Sequence, residues 1–484
     1  MLRTSCLVAF LVLCLCNLRA ADSIAPLADA IQQQKTTQIE ELLAQKVDVN
    51  APQVDGMTPL HWAVYHEQER ATERLLSAGA NPNAQNRYGV PPLSLACASG
   101  NAKIVELLLT AGADAKATIR GGESMLMAAC RTGKLAPVQS LIAHGADVNA
   151  RERQGQTALM WAAADGHVEV VEALIREGAD RFALLESGFT PLLFAIRNGH
   201  TQVVLRLLDS GVDVNSVVSN EKSTGKGPKP GTTPLLLAVE NGHFDLAITL
   251  LRAGADPNER RRGYTPIHAM TWVRKPLRGD GDPPPIGSGK MTSLEFVRAL
   301  VSHGADVNAL HGQHKPNGGA LNKTKATAFL LAAETGDVPL MKLLLELGAD
   351  PKLVNVDHCT PLLAATGVGI LSNGDESAGT EDDAIEAVKL LLDSGADINS
   401  VDDGGNSALH GAVYENRSKL IEYLTDHGAD ISIWNRPNKR GWTPLDIAQG
   451  HRPGNFRLAP ESIEVLKRLL RAAGIEPPPA RPRS

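Results

Sequence analysis

Apolar positions along this chain fall into two short helical rhythms that alternate with polar turns. The stretch 187–216, "SGFTPLLFAIRNGHTQVVLRLLDSGVDVNS", shows one full cycle. Thr190 is placed to cap a helix, and Pro191 suits the first helical position, where its missing N–H has no partner to lose. The apolar run behind it contains Ala195, small enough for a neighbouring helix to come close. Gly199 punctuates that run, and Val203, Leu207 and Leu208 then recur at the spacing of a second helix. In sister cycles the second helix stops at Gly79, Gly112, Gly145, Gly178 or Gly254, where a left-handed residue is wanted.

The cycle repeats. Gly56, Gly89, Gly122, Gly155 and Gly188 are 33 residues apart. Thr58, Thr157, Thr190, Thr233, Thr265, Thr360 and Thr443 recur as caps, most of them followed by Pro. Small residues follow at Ala63, Ala96, Ala162, Ala195 and Ala238, and an "ADVNA" type of tail leads into the next turn. These residues resemble the ankyrin repeat, T-P-L-H-x-A followed by V-x-x-L-L-x-x-G-A-D-x-N, over residues 23 to 474. The resemblance implies an all-α solenoid of about twelve antiparallel helix pairs with protruding turn or hairpin fingers, its first helices lining a concave face. One pair alone cannot bury its apolar side, so stability is expected from neighbour interfaces. The expected organisation is a leader at 1–20, the array at 21–474 and a proline-rich tail at 475–484.

Four interruptions break the register, at 217–231, 274–291, 310–326 and 369–383, and none above three residues is expected elsewhere. The first and third fall in fingers, and the second and fourth fall between the two helices of a repeat. The resemblance places fingers and helix-to-helix loops on opposite edges. Charge is sorted accordingly. Lys222, Lys226 and Lys229, then Arg260, Arg261 and Arg262, then Lys315, Lys323 and Lys325 make the fingers basic. Asp375, Glu376, Glu381, Asp382 and Asp383 make one helix-to-helix loop acidic. A Lys or Arg also stands two before the finger glycine, or its equivalent, at Arg87, Arg120, Arg153, Lys229, Arg261, Lys323 and Lys439.

Composition sharpens two points. Aromatics are 4% of the chain, so Trp62, Tyr65, Trp161, Phe194, Leu237, Trp272 and Tyr414 on the first helices are a candidate contact surface. A net charge of −6 does not propose nucleic acid as a partner. The expected partner is a protein, acidic if the basic fingers meet it, and the chain is expected to be a monomer. An acidic glycan or lipid surface held by the fingers is an alternative. An enzyme sited in the inserted loops is a second, against which the opposite-edge placement counts.

Chemistry is sparse. His61, His268 and His410 hold the T-P-L-H position, where the resemblance implies a bond to backbone of the neighbouring finger. His311 and His314 offer two metal ligands without a third. "STGKGPKPG" lacks the spacing of a phosphate loop, and Arg278-Gly279-Asp280 is a tripeptide that chance supplies. No cofactor, metal or catalytic residue is expected. Cys97, Cys130 and Cys359, far apart and odd in number, make no disulfide framework, and Cys97 and Cys130 read as packing residues.

The N-terminus reads as an export signal. Arg3 precedes an apolar stretch from Cys6 to Leu15, too short to cross a bilayer, with small residues at Ala20 and Ala21. The expected location is periplasmic or secreted. Residues 1–25 fused to a reporter should carry it across a membrane and be cut near Ala20, and an uncut cytosolic reporter would discard the signal.

Overall fold

The computed structural model of the chain describes residues 24–219, 227–275, 284–314, 320–369, 379–451 and 458–479. The expected signal, Lys222, Lys226, Lys315, Asp375, Glu376 and the tripeptide at 278–280 lie outside the described residues. The chain divides into two compact units, Met1–Val212 and Asp213–Ser484.

Unit 1 holds six helix pairs: α1 (Pro26–Gln32) with α2 (Thr36–Ala44), α3 (Pro59–Tyr65) with α4 (Glu69–Ser77), and α5 (Pro92–Ser99) with α6 (Ala102–Thr110). The series continues with α7 (Met125–Cys130) and α8 (Leu135–Ala143), α9 (Ala158–Asp165) and α10 (Val168–Arg176), and α11 (Pro191–Arg197) and α12 (Thr201–Asp209). Unit 2 opens with α13 (Pro234–Glu240) and α14 (Phe244–Arg252), α15 (Pro266–Arg274) and α16 (Ser293–Ser302), and α17 (Ala328–Glu334) and α18 (Val338–Glu346). It closes with α19 (Pro361–Thr366) and α20 (Glu381–Asp393), α21 (Ala408–Tyr414) and α22 (Ser418–Asp426), the short α23 (Ile431–Trp434), and α24 (Pro444–Ala448) with α25 (Pro460–Ala472). Each unit is an all-α solenoid. Its only bridges among the described residues, Thr118–Ser124 and Val401–Ser407, lie in fingers.

Local chemistry explains the pairs. Thr58, Thr157, Thr190 and Thr233 accept at their side-chain oxygens from the third helical N–H, and Pro59, Pro191 and Pro234 stand at the first helical position. Gly166 ends α9 at φ +80, and a Cβ there would lie 2.5 Å from the His200 ring of the next repeat. Polar links then tie repeat to repeat. The Asn149 side chain donates to the Gly178 carbonyl at 3.0 Å and accepts from the Asp180 N–H at 2.8 Å. Asn50 and Asn83 do the same in unit 1, and Asn215, Asn258, Asn308 and Asn399 in unit 2.

The insertions settle in different ways. Val218 and Gly231 close the base of the first, with Gly231 N–H donating to the Val218 carbonyl at 2.8 Å. The insertion after α15 returns to the preceding repeat, where Lys290 N–H meets Asp245 Oδ2 at 2.7 Å, and Thr292 and Glu295 then form a capping box for α16. The acidic end of the fourth insertion is not loop. Thr380 caps α20, and Glu381, Asp382 and Asp383 form its first turn, where negative charge meets the positive helix end. A fifth interruption, 449–459 between α24 and α25, corrects the expectation of four. No later Thr cap follows it, so the spacing between caps could not reveal it.

Leu108 in α6 is fully buried, and α6 packs between α4 and α8. Leu108→Ala should cost ~2–5 kcal/mol and broaden chemical unfolding, as lost packing between repeats does in a solenoid. A sharp transition at the wild-type denaturant midpoint would place Leu108 outside that interface.

Candidate interaction surfaces

The fourth and seventh residues after each cap decide what a first helix shows. In unit 1 these positions hold Trp62 and Tyr65 in α3, Ala128 in α7 with Arg131 just beyond it, Trp161 and Ala164 in α9, and Phe194 and Arg197 in α11. Trp62, Trp161 and Phe194 are half-buried, Tyr65 is 60% exposed, and Arg131 and Arg197 are exposed. Trp62 Nε1 donates to Gln53 Oε1 at 2.7 Å, and its ring meets Tyr65 edge-on at 5.7 Å. The Arg131 guanidinium stands 5.2 Å from the Trp161 ring centre, and Phe194 stacks on Phe189 at 4.7 Å. Arg131, Gln156, Met160, Trp161, Asp165 and Phe194 enclose a hollow of about 150 Å³. Sequence reasoning missed Arg131 and Arg197. Their offset from the Ser124 and Thr190 caps, the same as that of Tyr65 from Thr58, was the signal.

Unit 2 presents the same positions differently. Leu237, Leu331 and Glu334 are buried, and Trp272 is half-buried. Ahead of the finger turn that Lys325 and Ala326 close on His311, Leu321 reaches the far end of α19, where its N–H donates to the Gly369 carbonyl at 2.6 Å. Lys323 Nζ lies 5.7 Å from the Trp272 ring centre, and His311 lies 5.6 Å from His268 and 5.9 Å from Tyr264. This finger and the helix-to-helix insertion are therefore not on separate edges. Their meeting point corrects the expectation, because backbone hydrogen bonds draw Leu321 to Gly369. Tyr414 lines a neighbouring hollow of about 440 Å³ with Asn322, Asp357, Asp402 and Asn438.

Among the described basic residues of the fingers, Lys229, Arg260 and Arg261 are exposed, with Arg261 3.5 Å from Glu259. Arg262 is not free, since its guanidinium lies 5.5 Å from the Tyr264 ring centre. The basic position two before the finger glycine has a backbone role: Arg87, Arg153 and Lys439 donate their N–H to the preceding finger. The acidic set is also engaged. Asp383 pairs with Lys275 at 2.9 Å, and Glu381 accepts from the N–H groups of Lys419 and Leu420.

The imidazoles at the T-P-L-H positions are structural. His61 Nε2 meets the Val90 carbonyl at 3.0 Å, His268 the Ala326 carbonyl at 3.1 Å, and His410 the Trp442 carbonyl at 3.3 Å. His311 and His314 stand 6.0 Å apart, and no group of three metal-ligating side chains occurs among the described residues. Cys97, Cys130 and Cys359 are free and buried. Burial, with Asp402, Glu334 and Asp357 behind it, pushes the Cys359 thiol well up, the reverse of what a nucleophile needs.

Family models agree with this geometry. Ankyrin repeats in three copies match residues 4–119, 93–182, 126–218 and 377–478, and the single ankyrin repeat matches 231–262 and 324–356. The chain belongs to the ankyrin repeat family. The array is 28% identical over 187 residues to the E3 ubiquitin-protein ligase KEG of Arabidopsis thaliana, covering 35% of this chain and 10% of that protein. It is 25% identical over 156 residues to an ankyrin repeat protein of Borreliella burgdorferi, covering 32% and 63%. Human inversin is 28% identical over 185 residues, covering 38% and 14%. The chain thus spans less than two thirds of each relative. Ankyrin repeats of this kind form scaffolds for protein–protein interaction, and no helix among the described residues of this array is long and apolar enough to cross a membrane.

Burial, opposed by the Ala326 carbonyl, holds His268 down at about 4, and burial likewise holds His410 at about 4. The unfolded chain binds these protons near pH 6.5, so this stability is complete above about pH 6.5 and is lost as pH falls toward 4. Glu334 acts oppositely: burial pushes its carboxyl up to about 7, so its contribution is complete below 4.5 and is lost as pH rises through 7. Denaturant midpoints should fall on acidification less steeply in His268→Asn and His410→Asn. Glu334→Gln should raise the midpoint at about pH 8 and leave it nearly unchanged at about pH 5. Wild-type and variant midpoints that run parallel across this range would remove both assignments.

Proposed function

We propose that this ankyrin array is a non-enzymatic scaffold that holds a protein partner on the first-helix face of unit 1, outside the cytoplasm. The observation that carries the reading is the contrast between equivalent positions. Trp62, Tyr65, Arg131, Trp161, Phe194 and Arg197 remain at least partly exposed in unit 1, whereas Leu237, Leu331 and Glu334 are buried in unit 2. Trp, Tyr and Arg dominate binding hot spots because they desolvate large contact areas while keeping polar handles. The hollow beside Trp161 fits one apolar anchor, and Arg131 at its edge favours a carboxylate next to it. Lys229, Arg260 and Arg261 add a field that speeds the approach of an acidic partner, an effect that salt screens within ~8 Å at physiological strength. The inert Cys359 thiol and the backbone-bonded histidines support a binding role over catalysis. Export rests on Arg3, the apolar stretch behind it and Ala20.

The mature chain should capture its partner from the native compartment, and Trp161→Ala should weaken that complex by roughly 30-fold or more, a hot-spot loss of ~2 kcal/mol. Trp62→Ala should weaken it less and leave the melting curve nearly unchanged. Capture that survives Trp161→Ala but fails after replacing Lys229, Arg260 and Arg261 with Gln would move binding to the fingers, as an acidic glycan or lipid surface requires.

A further inference from the structure

The finger that His311 closes differs from the fingers of unit 1 in two ways. A finger turn is made by two backbone bonds, as when Asn86 N–H donates to the Val90 carbonyl and Gly89 N–H to the Asn86 carbonyl. His311 makes the same pair, donating to the Ala326 carbonyl and accepting from Lys325 N–H, both at 2.9 Å. The residue that turns back is glycine in unit 1, at Gly56, Gly89, Gly122, Gly155 and Gly188, but here it is Lys325 at φ +63. A left-handed backbone is strained for a residue that carries a Cβ. The second difference is the imidazole. His311 is 8% exposed, and its ring lies 5.6 Å from His268, 5.9 Å from Tyr264 and 6.0 Å from His314. Its Nδ1 donates to the Gly312 carbonyl at 3.0 Å, which leaves Nε2 as the basic nitrogen. His268 Nε2 donates at 3.1 Å to the same Ala326 carbonyl that His311 uses. Burial holds the ionisation of His311 below the ordinary histidine value, against the pull of the Gly312 carbonyl, and the charges of Lys323 and His314 act in the same direction as burial. Burial and Lys323 do the same to His314, whose Nδ1 accepts from Lys323 N–H at 3.4 Å. The surrounding carboxylates are occupied or withdrawn: Glu240 accepts from the Tyr264 hydroxyl at 2.5 Å, Asp357 accepts from Asn322, and Glu334 is buried in α17. Arg262 adds a further positive charge on the Tyr264 ring.

We propose that the turn at His311 is an acid-released joint, in which protons taken up by His311 and His314 open the turn that Lys325 and Ala326 close while the helices on either side stay folded. The proton on His311 enters at Nε2, in a buried ring with charges of its own sign beside it. The proton on His314 takes the lone pair that accepts Lys323 N–H. Opening returns both rings to water, where they ionise near 6.5, and lets Lys325 leave positive φ. The closed turn binds fewer protons than the open one, so it is fully favoured above about pH 6.5 and loses ground as pH falls. A ring that ionises only after release shifts the balance about tenfold toward opening at about pH 5.5. Contacts that radiate from the turn go with it. Gly312 N–H leaves the Gly263 carbonyl at 2.7 Å, Val356 N–H leaves the Thr324 carbonyl at 2.9 Å, and Lys323 leaves the Trp272 ring. Acid thus uncouples this finger from the finger before it and the finger after it. Unit 1 has Gln53, Asn86, Ile119, Glu152 and Leu185 at the position of His311, none of which gains a positive charge.

Amide hydrogen exchange of the full chain at about pH 7.5 and about pH 5.5, each rate divided by its intrinsic rate at that pH, tests the joint. Protection of the Lys325, Ala326 and Val356 amides should fall about tenfold at the lower pH. The turn amides of Gly89 and Gly155 should keep theirs, and the helical circular dichroism should be unchanged. His311→Asn with His314→Asn should abolish the fall, and asparagine suits the position because Asn86, Asn355 and Asn438 close the same turn. If this doubly substituted chain lacks protection even at about pH 7.5, Lys325→Gly in the otherwise native chain decides, since relief of the strained φ should lower the pH at which protection is lost. Equal protection of the wild-type turn at both pH values overturns the proposal. So does a fall that persists in the doubly substituted chain, or a pH of release that Lys325→Gly leaves unmoved.

Discussion

A helix pair of this size has an apolar side it cannot bury by itself, so the junction between consecutive repeats is the constraint from which the rest of the structure follows. Leu, Val and Ala supply the area, but area alone does not set the distance or tilt of one repeat on the next. Asparagine does. The carbonyl of the glycine that ends each second helix has lost its helical partner. A carboxamide from the preceding repeat donates to it and accepts from the N–H two residues later, as Asn308 does with Gly348 at 3.1 Å and Asp350 at 2.8 Å. Only an amide side chain carries both functions at this reach. Lys116, Phe182 and Lys352 stand at the equivalent positions and lack them, and other side chains bridge those junctions, as Lys134 does to the Ser99 carbonyl, Asn198 to the Ala164 carbonyl and Lys342 to Glu386.

Features with local causes were legible in the sequence. Thr58 and Pro59 begin a helix through atoms within three residues of each other, and Gly166 ends one through its own φ, so spacing alone found both. The asparagines were read only as turn residues, because the atoms they bond lie 29 or more residues away. The insertions divide in the same way. Their lengths follow from the interval between caps, but the path of 310–326 depends on Gly263 and Gly369, which no local rule connects to it. The acidic stretch was misread for a simpler reason. Thr380 followed by Asp383 is a capping box, and its carboxylates belong to the first turn of a helix. Of the candidate surface, the placement of Trp62, Tyr65, Trp161 and Phe194 on first helices follows from helical position, whereas the contact of Lys323 with Trp272 is tertiary and left no trace in the spacing.

The two units therefore present one architecture with different first-helix faces. In unit 1 the first helices keep aromatic and arginine side chains in reach of solvent, with the pairing of Arg131 and Trp161 holding both in place without burying either. In unit 2 an apolar and charged set at the same helical positions has been closed over. Glu334 shows the cost, since a carboxylate taken out of water is destabilising unless paired, and burial pushes this one up.

Covering the face also changes how unit 2 holds together. A solenoid's stability is ordinarily a sum over nearest neighbours, because each repeat touches only the ones beside it. Lys275, at the end of α15, passes over the following repeat to reach Asp383 in α20 at 2.9 Å, bonding the Gly336 carbonyl at 3.3 Å on the way. Leu321, in the finger before α17, likewise reaches Gly369 behind α19. Both contacts skip a repeat, and both span the junction at which Lys352 replaces asparagine. The half-exposed ion pair is worth little by itself. A buried leucine seated on a glycine backbone is worth more, because it ties three consecutive repeats into one block that cannot open at either junction without breaking the same contact. Residues of the insertion thus add, across the junction at Lys352, contacts that the missing carboxamide does not supply.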